Sequence, residues 1–242
     1  MNKLTAASGA GIAAVALSLA LVGCGSDAKT QASPASSTTE SSETSSGTST
    51  TTPSKALNSR TALTTPAEAA GPNETISDYI TKNNIEETAI SRGDPGPTID
   101  LPVPTGWETK EGLPEAPYGA IVYSDSTVPD NPPRILALLS KLTGDVDPEQ
   151  ILALAPGELK NLPGFDGAAE GQRDKLGGFD AVQLGGTYTD GPKTGMVAQK
   201  TVVIPAEDGL YVLQLNAFGD ESEANVLMEA TSVIDDKTTI TP

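Results

Sequence analysis

The chain contains few side chains that could carry out covalent or acid–base chemistry. Its 242 residues include no histidine, and Cys24 is the only cysteine. Without histidine there is no imidazole base for a Ser-His-Asp or Cys-His mechanism, and no imidazole ligand for zinc. One thiol also cannot form an intrachain disulfide or a cysteine-rich zinc site. Carboxylate chemistry is the main catalytic route that this composition leaves open.

Three pairs of adjacent acidic residues are the candidates for such chemistry. A glycoside hydrolase, for example, needs two carboxylates on either side of the scissile bond. The pairs fall at the ends of predicted elements, where acidic residues usually cap a turn or face solvent. Adjacency in sequence therefore does not indicate a catalytic pair at Glu86-Glu87, Glu207-Asp208 or Asp235-Asp236.

Motifs for metals and cofactors are missing from the sequence. Asp145, Asp147 and Glu149 begin a calcium-loop spacing, but Gln150 stands where the loop needs glycine and Pro156 where it needs glutamate. Nucleotide-binding glycine patterns and the Gly-x-Ser-x-Gly elbow are also missing. We therefore expect no metal, no cofactor and no catalytic residue.

Three glutamines form the most suggestive polar group. Gln183, Gln199 and Gln214 fall on three successive predicted strands. If the strands pair as a meander, their amides form a patch that hydrogen-bonds sugar hydroxyls; the alternative is an ordinary polar face of a half-covered sheet. The single tryptophan, Trp107, has two similar interpretations, either stacking on a ligand or packing in the core.

Cys24 lies in a pattern that indicates export and lipidation. An apolar run over residues 6–22 follows Lys3, as in a secretory signal, and is too short for a dependable membrane span. The motif Leu21-Val22-Gly23-Cys24 resembles the bacterial lipobox, which implies cleavage after Gly23 and lipid attachment to Cys24. Because two or more acyl chains anchor a protein stably, we expect a membrane-bound chain.

Composition divides the chain into three parts. Residues 1–23 are the predicted signal peptide. Residues 24–71 comprise the lipidated cysteine and a segment rich in Ser, Thr, Ala and Pro, which predicts a disordered stalk that could carry O-linked sugars. Residues 72–242 have the size and composition of one globular domain.

The charge of the chain argues against several partners. The formal net charge is -17, and the sequence pI is about 4.2. Such a chain is repelled by nucleic-acid backbones and by anionic lipid headgroups. We therefore expect no nucleic-acid partner, and an attachment to the membrane that depends on the lipid.

Within residues 72–242, local signals predict helices and strands in alternating groups. Residues 75–78 form a capping box for a short helix, Asp147-Pro148 begins a second, and Asp220 with Glu223 as its box partner begins the last. Strands are predicted over residues 85–90, 99–103, 118–124, 134–142, 167–173, 179–188, 196–204 and 210–217.

The predicted strands indicate an α+β fold with a mainly antiparallel sheet. The short connections at residues 190–194 and 205–209 favour hairpins. Residues 135–139 are apolar without alternation, so that strand must be covered on both faces. We therefore expect helices on both faces of the sheet.

The signal, the lipobox and the stalk are followed by long runs of residues at 71–73, 76–80, 93–95, 100–104, 139–145, 155–165, 198–205 and 238–242. Together these features resemble the mycobacterial LpqN/LpqT lipoprotein family. The resemblance implies a fold similar to PsbP, an antiparallel sheet with helices on both faces. It also implies a role at the mycobacterial envelope, in trafficking of trehalose-linked mycolic lipids or as a surface factor. It supplies no catalytic motif, and it transfers only Cys24 as a site.

The sequence thus favours a membrane-anchored, non-enzymatic binding module at the outer face of the plasma membrane. Its expected partners are an envelope glycolipid and the envelope proteins that transport such lipids or transfer mycolyl groups. Two alternatives stay open: a surface factor that binds host or cell-wall proteins without lipid, and a histidine-free hydrolase or transferase that uses carboxylates. An apolar cavity would favour lipid handling, and a closed core would favour protein contacts.

Overall fold

The computed structural model describes residues 71–242. The predicted signal peptide, Cys24 and all of the predicted stalk except Gly71 lie outside the described residues. The helices and strands are, in chain order, α1 (Ile76–Lys82), β1 (Glu86–Ile90), β2 (Thr98–Asp100), β3 (Trp107–Lys110), β4 (Gly119–Tyr123), β5 (Arg134–Thr143), α2 (Pro148–Leu154), α3 (Pro156–Lys160), β6 (Asp166–Gly167), β7 (Gln172–Leu176), β8 (Phe179–Asp190), β9 (Lys193–Ala206), β10 (Gly209–Asp220), α4 (Ala224–Lys237) and β11 (Thr239–Thr241).

Nine of these strands form one antiparallel sheet, so the fold is α+β as predicted. Its main path has the order β3-β4-β5-β10-β9-β8-β6, with β1 paired to β5 and β7 paired to β8. The long hairpins β8–β9 and β9–β10 form the centre of this sheet. Strands β2 and β11 pair separately, as a two-stranded antiparallel sheet.

The two faces of the large sheet carry different helices. Apolar side chains of α1 and α2, including Ile76 and Ile151, pack with Val203 and Val212 on one face, which we call the α2 face. Leu227 and Ile234 of α4 pack on the other, which we call the α4 face. Helices therefore cover both faces, as the apolar run in β5 predicts. None of the helices within residues 71–242 has the length and apolar character needed to cross a bilayer.

The first two predicted helix starts are confirmed. Thr75 accepts a hydrogen bond from the backbone N–H of Asp78, and the Asp78 carboxylate accepts one from the backbone N–H of Thr75. Asp147 caps α2, with Pro148 at the first helical position. Both caps depend on side chains within a few residues of the helix end, so a single sequence is enough to identify them.

The start of the last helix differs from the prediction. Asp220 accepts a hydrogen bond from the backbone N–H of Ser222 and begins a 3₁₀ turn over Glu221–Glu223, which precedes α4. Glu223 does not complete a capping box. Its buried carboxylate instead accepts hydrogen bonds from Ser126 Oγ and from the backbone N–H of Thr127. The box prediction is wrong because a loop distant in sequence supplies the partners of Glu223.

Several strand boundaries also differ from the prediction. The strand predicted over residues 99–103 shortens to β2, which agrees with the prolines at 102 and 104 that cannot donate to a ladder. The strand predicted over residues 167–173 is two strands, β6 and β7. Strands β3 and β11 are additional; they have only four and three residues, which is too short for a periodic signal.

Candidate functional site

A cavity of about 230 Å³ lies between α4 and the sheet. Its floor is a row of small residues at facing positions of three strands, Ala217 in β10, Ala198 in β9 and Gly185 in β8. Because directly opposed residues point to the same face of a sheet, three small side chains in one row leave space above them. Thr231 and Ile234 of α4 close the space from above.

The next row of the same face supplies polar groups at the edge of this cavity. Gln172 in β7 is opposite Gln183 in β8, and Gln183 is opposite Lys200 in β9. All three line the cavity, together with Glu170 before β7 and Asp235 of α4. The site therefore combines a floor of small and apolar side chains with two primary amides, a hydroxyl and charged groups.

Lys200 is the positively charged residue at the edge of this cavity, and it forms ion pairs with two carboxylates. Its side chain is only 7% exposed, and Nζ lies 2.6 Å from a carboxylate oxygen of Asp174 and 2.7 Å from one of Asp235. The hydrogen bond from Lys200 lowers the pKa of Asp174 from its usual value. The two contacts tie β9 to β7 and to the last turns of α4.

The three glutamines that could have formed one patch do not share a face of the sheet. Gln214 is opposite Thr201, and Gln199 is opposite Asn216, so all four belong to the α2 face. Gln183 is opposite Lys200 and belongs to the α4 face. The prediction of one shared face is therefore wrong for Gln183. Of the three glutamines, Gln183 is the one that lies with Gln172 at the edge of the cavity.

Gln199 and Gln214 are buried under α3 instead. Both Nε2 atoms donate to Oε2 of Glu158, at 2.9 and 3.1 Å, and both side chains are less than 5% exposed. Gln199 is also among the residues around the cavity, but its amide is directed to Glu158 on the other face. In this arrangement the two buried amides hold the carboxylate of half-buried Glu158.

Two neighbours of this buried group have no hydrogen-bond partner within residues 71–242. They are Thr201, through Oγ1, and Asn216, through Nδ2 and Oδ1; the residues are 0% and 1% exposed. Unpaired buried polar atoms are costly, and ordered water commonly satisfies them.

Trp107 is part of the core rather than of the cavity wall. It is 7% exposed, belongs to the apolar cluster of the α4 face, and its ring centroid lies 5.8 Å from that of Tyr123. The tilted ring pair is a common aromatic packing geometry. This position agrees with the core interpretation of Trp107 and gives no support to ligand stacking.

A second cavity, of about 180 Å³, lies on the α4 face beside the first. Its walls include Leu101, Val103, Ile121 and Ala137. Arg92 and Glu111 contribute charged groups to it. The Arg92 guanidinium lies 5.0 Å from the centroid of the Tyr118 ring and donates to the Tyr118 carbonyl.

The groups around the first cavity can hydrogen-bond a ligand. Within residues 71–242, no three side chains of His, Cys, Asp or Glu are placed to hold a metal ion. Two of the acidic pairs considered from sequence have other roles here, since Asp208 pairs with Lys141 and Asp235 with Lys200. The rim of the first cavity instead offers amide and hydroxyl groups above an apolar floor.

Sequence reasoning missed Gln172, Lys200 and Thr231 as groups of the site. Lys200 could have been found from alternation in β9, because Ala198, Val202 and Ile204 share its face and are apolar. A lysine inside such a stripe indicates a buried ion pair or a site. The sequence did not indicate Gln172, because the strand that contains it was predicted over residues 167–173 and in the structure is Gln172–Leu176.

Comparisons with known proteins agree on one family. The family model described as "Probable lipoprotein LpqN" matches residues 72–241. "Lipoprotein LpqN" of Mycobacterium tuberculosis is 56% identical over 243 residues, covering all of both chains. A crystal structure of LpqN, described as involved in cell envelope biogenesis of M. tuberculosis, has a TM-score of 0.70 and 56% identity, and covers 71% of this chain and 100% of that chain.

Proposed function

The chain belongs to the Lpp-LpqN lipoprotein family, and on that premise we propose that it is an anchored envelope protein that binds a glycolipid and catalyses no reaction. The observation that carries the binding proposal is the cavity under α4, with its apolar floor and its amide rim. The relative's described involvement in cell envelope biogenesis supports the same setting. We also propose that the fold of residues 72–242 is similar to that of PsbP.

Anchoring rests on the sequence before the described residues. The lipobox motif at Leu21-Val22-Gly23-Cys24 supports export, cleavage and lipid attachment at Cys24. The lipoprotein name of the M. tuberculosis relative supports the same interpretation. With the formal net charge of -17, the chain has no electrostatic attraction to anionic lipids, so the acyl chains hold it at the outer face of the plasma membrane.

The polarity of the rim favours an uncharged, hydroxyl-rich headgroup. Gln172 and Gln183 each provide an amide, which both donates and accepts hydrogen bonds, and Thr231 provides a hydroxyl. Lys200 is matched by Asp174 and Asp235, and Glu170 adds a further negative charge. The net negative charge of this rim would repel an anionic headgroup, whereas it would not repel an uncharged sugar.

The apolar part of the ligand then lies over the floor. Ile135 and Leu215 of the sheet and Ile234 of α4 above it provide aliphatic surface around the floor, and burial of each methylene contributes about 0.8 kcal/mol. An amphiphile with a sugar head and an alkyl tail matches both parts of the site. Trehalose-mycolate-type envelope lipids have this chemistry, and proteins that transport them or transfer mycolyl groups are the partners we propose.

A binding titration tests this proposal. Isothermal titration calorimetry of the purified chain with an eight-carbon alkyl trehalose should show saturable binding. Free trehalose should bind far more weakly, because it buries no tail, and an alkyl sulfate of equal chain length should also bind more weakly, because its head is anionic. Mass spectrometry after prolonged incubation should recover the glycoside intact.

Different results would favour the two alternatives. Failure of the folded chain to bind any of these amphiphiles would favour a factor that contacts host or cell-wall proteins without lipid. Cleavage of the glycoside by the wild-type chain would favour the carboxylate hydrolase. A preference for the alkyl sulfate would contradict the uncharged headgroup.

A further inference from the structure

The two cavities on the α4 face have three wall residues in common: Ile135, Leu215 and Ile234. From this shared wall we infer that the cavities are two chambers of one site, and that a single alkyl chain passes the shared wall from the first chamber into the second. This inference rests on the proposed function. It adds that the chain selects its ligand by tail length.

The pairing of β5 and β10 explains why a wall stands at this place. Ile135 of β5 is opposite Ala217 of β10, and two residues further along Ala137 of β5 is opposite Leu215 of β10. Each pair therefore has one large and one small side chain, and the large one is on β5 in the first pair and on β10 in the second. Ala217 borders only the first chamber and Ala137 only the second. The two large side chains lie on the diagonal between these alanines, with Ile234 of α4 above them. The partition therefore consists of aliphatic side chains rather than backbone.

Such a partition can move without unfolding the sheet. Buried aliphatic side chains change rotamer even in close-packed interiors, whereas a partition of paired backbone would have to break a ladder. Rotation of Ile135, Leu215 or Ile234 would join the two chambers at the cost of local packing only. The methylenes of a bound tail would then replace the lost contacts.

The volumes of the chambers favour a shared ligand. The first is about 230 Å³ and the second about 180 Å³. Sites for small molecules usually have about 300–1,000 Å³, so each chamber alone is below that range. Together they provide roughly 400 Å³, which is inside it.

The position of the two amides gives the ligand its direction. The amides of Gln172 and Gln183 border the first chamber, where the sugar head would lie. The second chamber has the charged side chains of Arg92 and Glu111 in its wall, and its aliphatic side chains, Leu101, Val103 and Ile121, are the ones that suit the end of an alkyl tail. The head therefore stays between β7 and α4, and the tail points toward the loop at residues 101–103.

A chain-length series tests the inference. Alkyl trehaloses with tails from six to fourteen carbons would be titrated below their micellar concentrations against the wild-type chain and two variants. Ala137→Leu reduces the second chamber only, and Ala198→Leu reduces the first chamber only. Circular dichroism and thermal unfolding would confirm that each variant is folded.

In the wild type, affinity should rise about fourfold for each added methylene through the whole series. In Ala137→Leu, the short tails should bind as they do to the wild type, and the increase should stop at the longer tails. In Ala198→Leu, tails of every length should bind more weakly. This pattern requires one tail that enters the second chamber from the first.

Identical series for Ala137→Leu and the wild type would overturn the inference, while the proposed function would stand on the binding of short tails. Absence of binding by the wild type at every length would overturn the inference and contradict the proposed function as well.

Photolabelling of the wild type provides the test if Ala137→Leu does not fold. A fourteen-carbon alkyl trehalose with a diazirine at the end of its tail should label residues 101–103 or 119–121. Labelling confined to residues 168–172 would show that the tail end stays in the first chamber, and would overturn the inference.

Discussion

Gln183 and Gln214 are identical side chains on opposite faces of one sheet, so they form a matched pair for mutation. Gln183 borders the cavity under α4, whereas Gln214 donates to the half-buried Glu158 of α3. We expect Gln183→Ala to weaken alkyl trehalose binding by about 0.5–1.5 kcal/mol, the usual value of one hydrogen bond, with little change in stability. Calorimetric titration measures the first effect and urea unfolding the second.

Gln214→Ala should have the opposite profile. It leaves the Glu158 carboxylate with one fewer buried donor, which we expect to lower the free energy of unfolding by about 1–3 kcal/mol. Its alkyl trehalose affinity should equal that of the wild type. Equal effects of both variants on binding would show that the cavity under α4 is not the binding site.

Asp174 gives the ion pairs of Lys200 a defined pH dependence. The hydrogen bond from Lys200 lowers the pKa of Asp174 in the folded state. The ionised Asp174 therefore stabilises the fold at pH values above its pKa in the unfolded chain, which is about 3.9. The effect is lost as the pH falls through the lower folded value. Asp174→Asn should therefore lose less stability than the wild type when thermal unfolding is compared between pH 6 and pH 3. Parallel curves would contradict this assignment.

The start of α4 depends on a contact with a distant loop. Glu223 is 7% exposed and accepts hydrogen bonds from Ser126 and Thr127, whereas Glu221 in the same 3₁₀ turn is exposed. Hydrogen bonds to a charged group contribute about 1.5–3 kcal/mol, so Glu223→Ala should lower the melting temperature by several degrees. Glu221→Ala is the control and should leave it nearly unchanged. Equal melting temperatures for the two variants would show that the contact is not stabilising.

The sequence predicted the helices and strands that depend on residues close to one another in the chain. The caps at Thr75 and Asp147 depend on side chains near the helix ends, and the apolar run in β5 required cover on both faces. Strands β3 and β11 escaped prediction because they are short and are defined by their partners, β4 and β2. The contact of Glu223 with residues 126–127 could not be read from sequence for the same reason.

The error in the glutamine patch has a different cause, which is the register of a hairpin. Asp190 pairs with Lys193, so the two-residue turn between them places Gln183 opposite Lys200 rather than Gln199. A change of one residue in register moves a whole strand's side chains to the other face. The sequence indicated the hairpin but not this register, so the members of the candidate site were only partly predictable.

Charge and anchor together determine how the whole chain meets the membrane. The formal net charge of -17 provides no attraction to anionic headgroups, so Cys24 is the expected source of attachment. Cys24→Ala should prevent lipid attachment and cleavage at the lipobox, and the protein should no longer partition into a detergent phase. An acylated, cleaved N-terminus in that variant would contradict the role of Cys24.

Photocrosslinking in living cells tests the glycolipid proposal most directly. A photoreactive amino acid would replace Thr231, which lines the cavity under α4, and in a control strain Gln150, which is exposed on α2. Mass spectrometry would identify what each position captures. We predict that trehalose-linked lipids are captured at position 231 and not at position 150. Capture of proteins without lipid at position 231, or equal lipid capture at both positions, would contradict it.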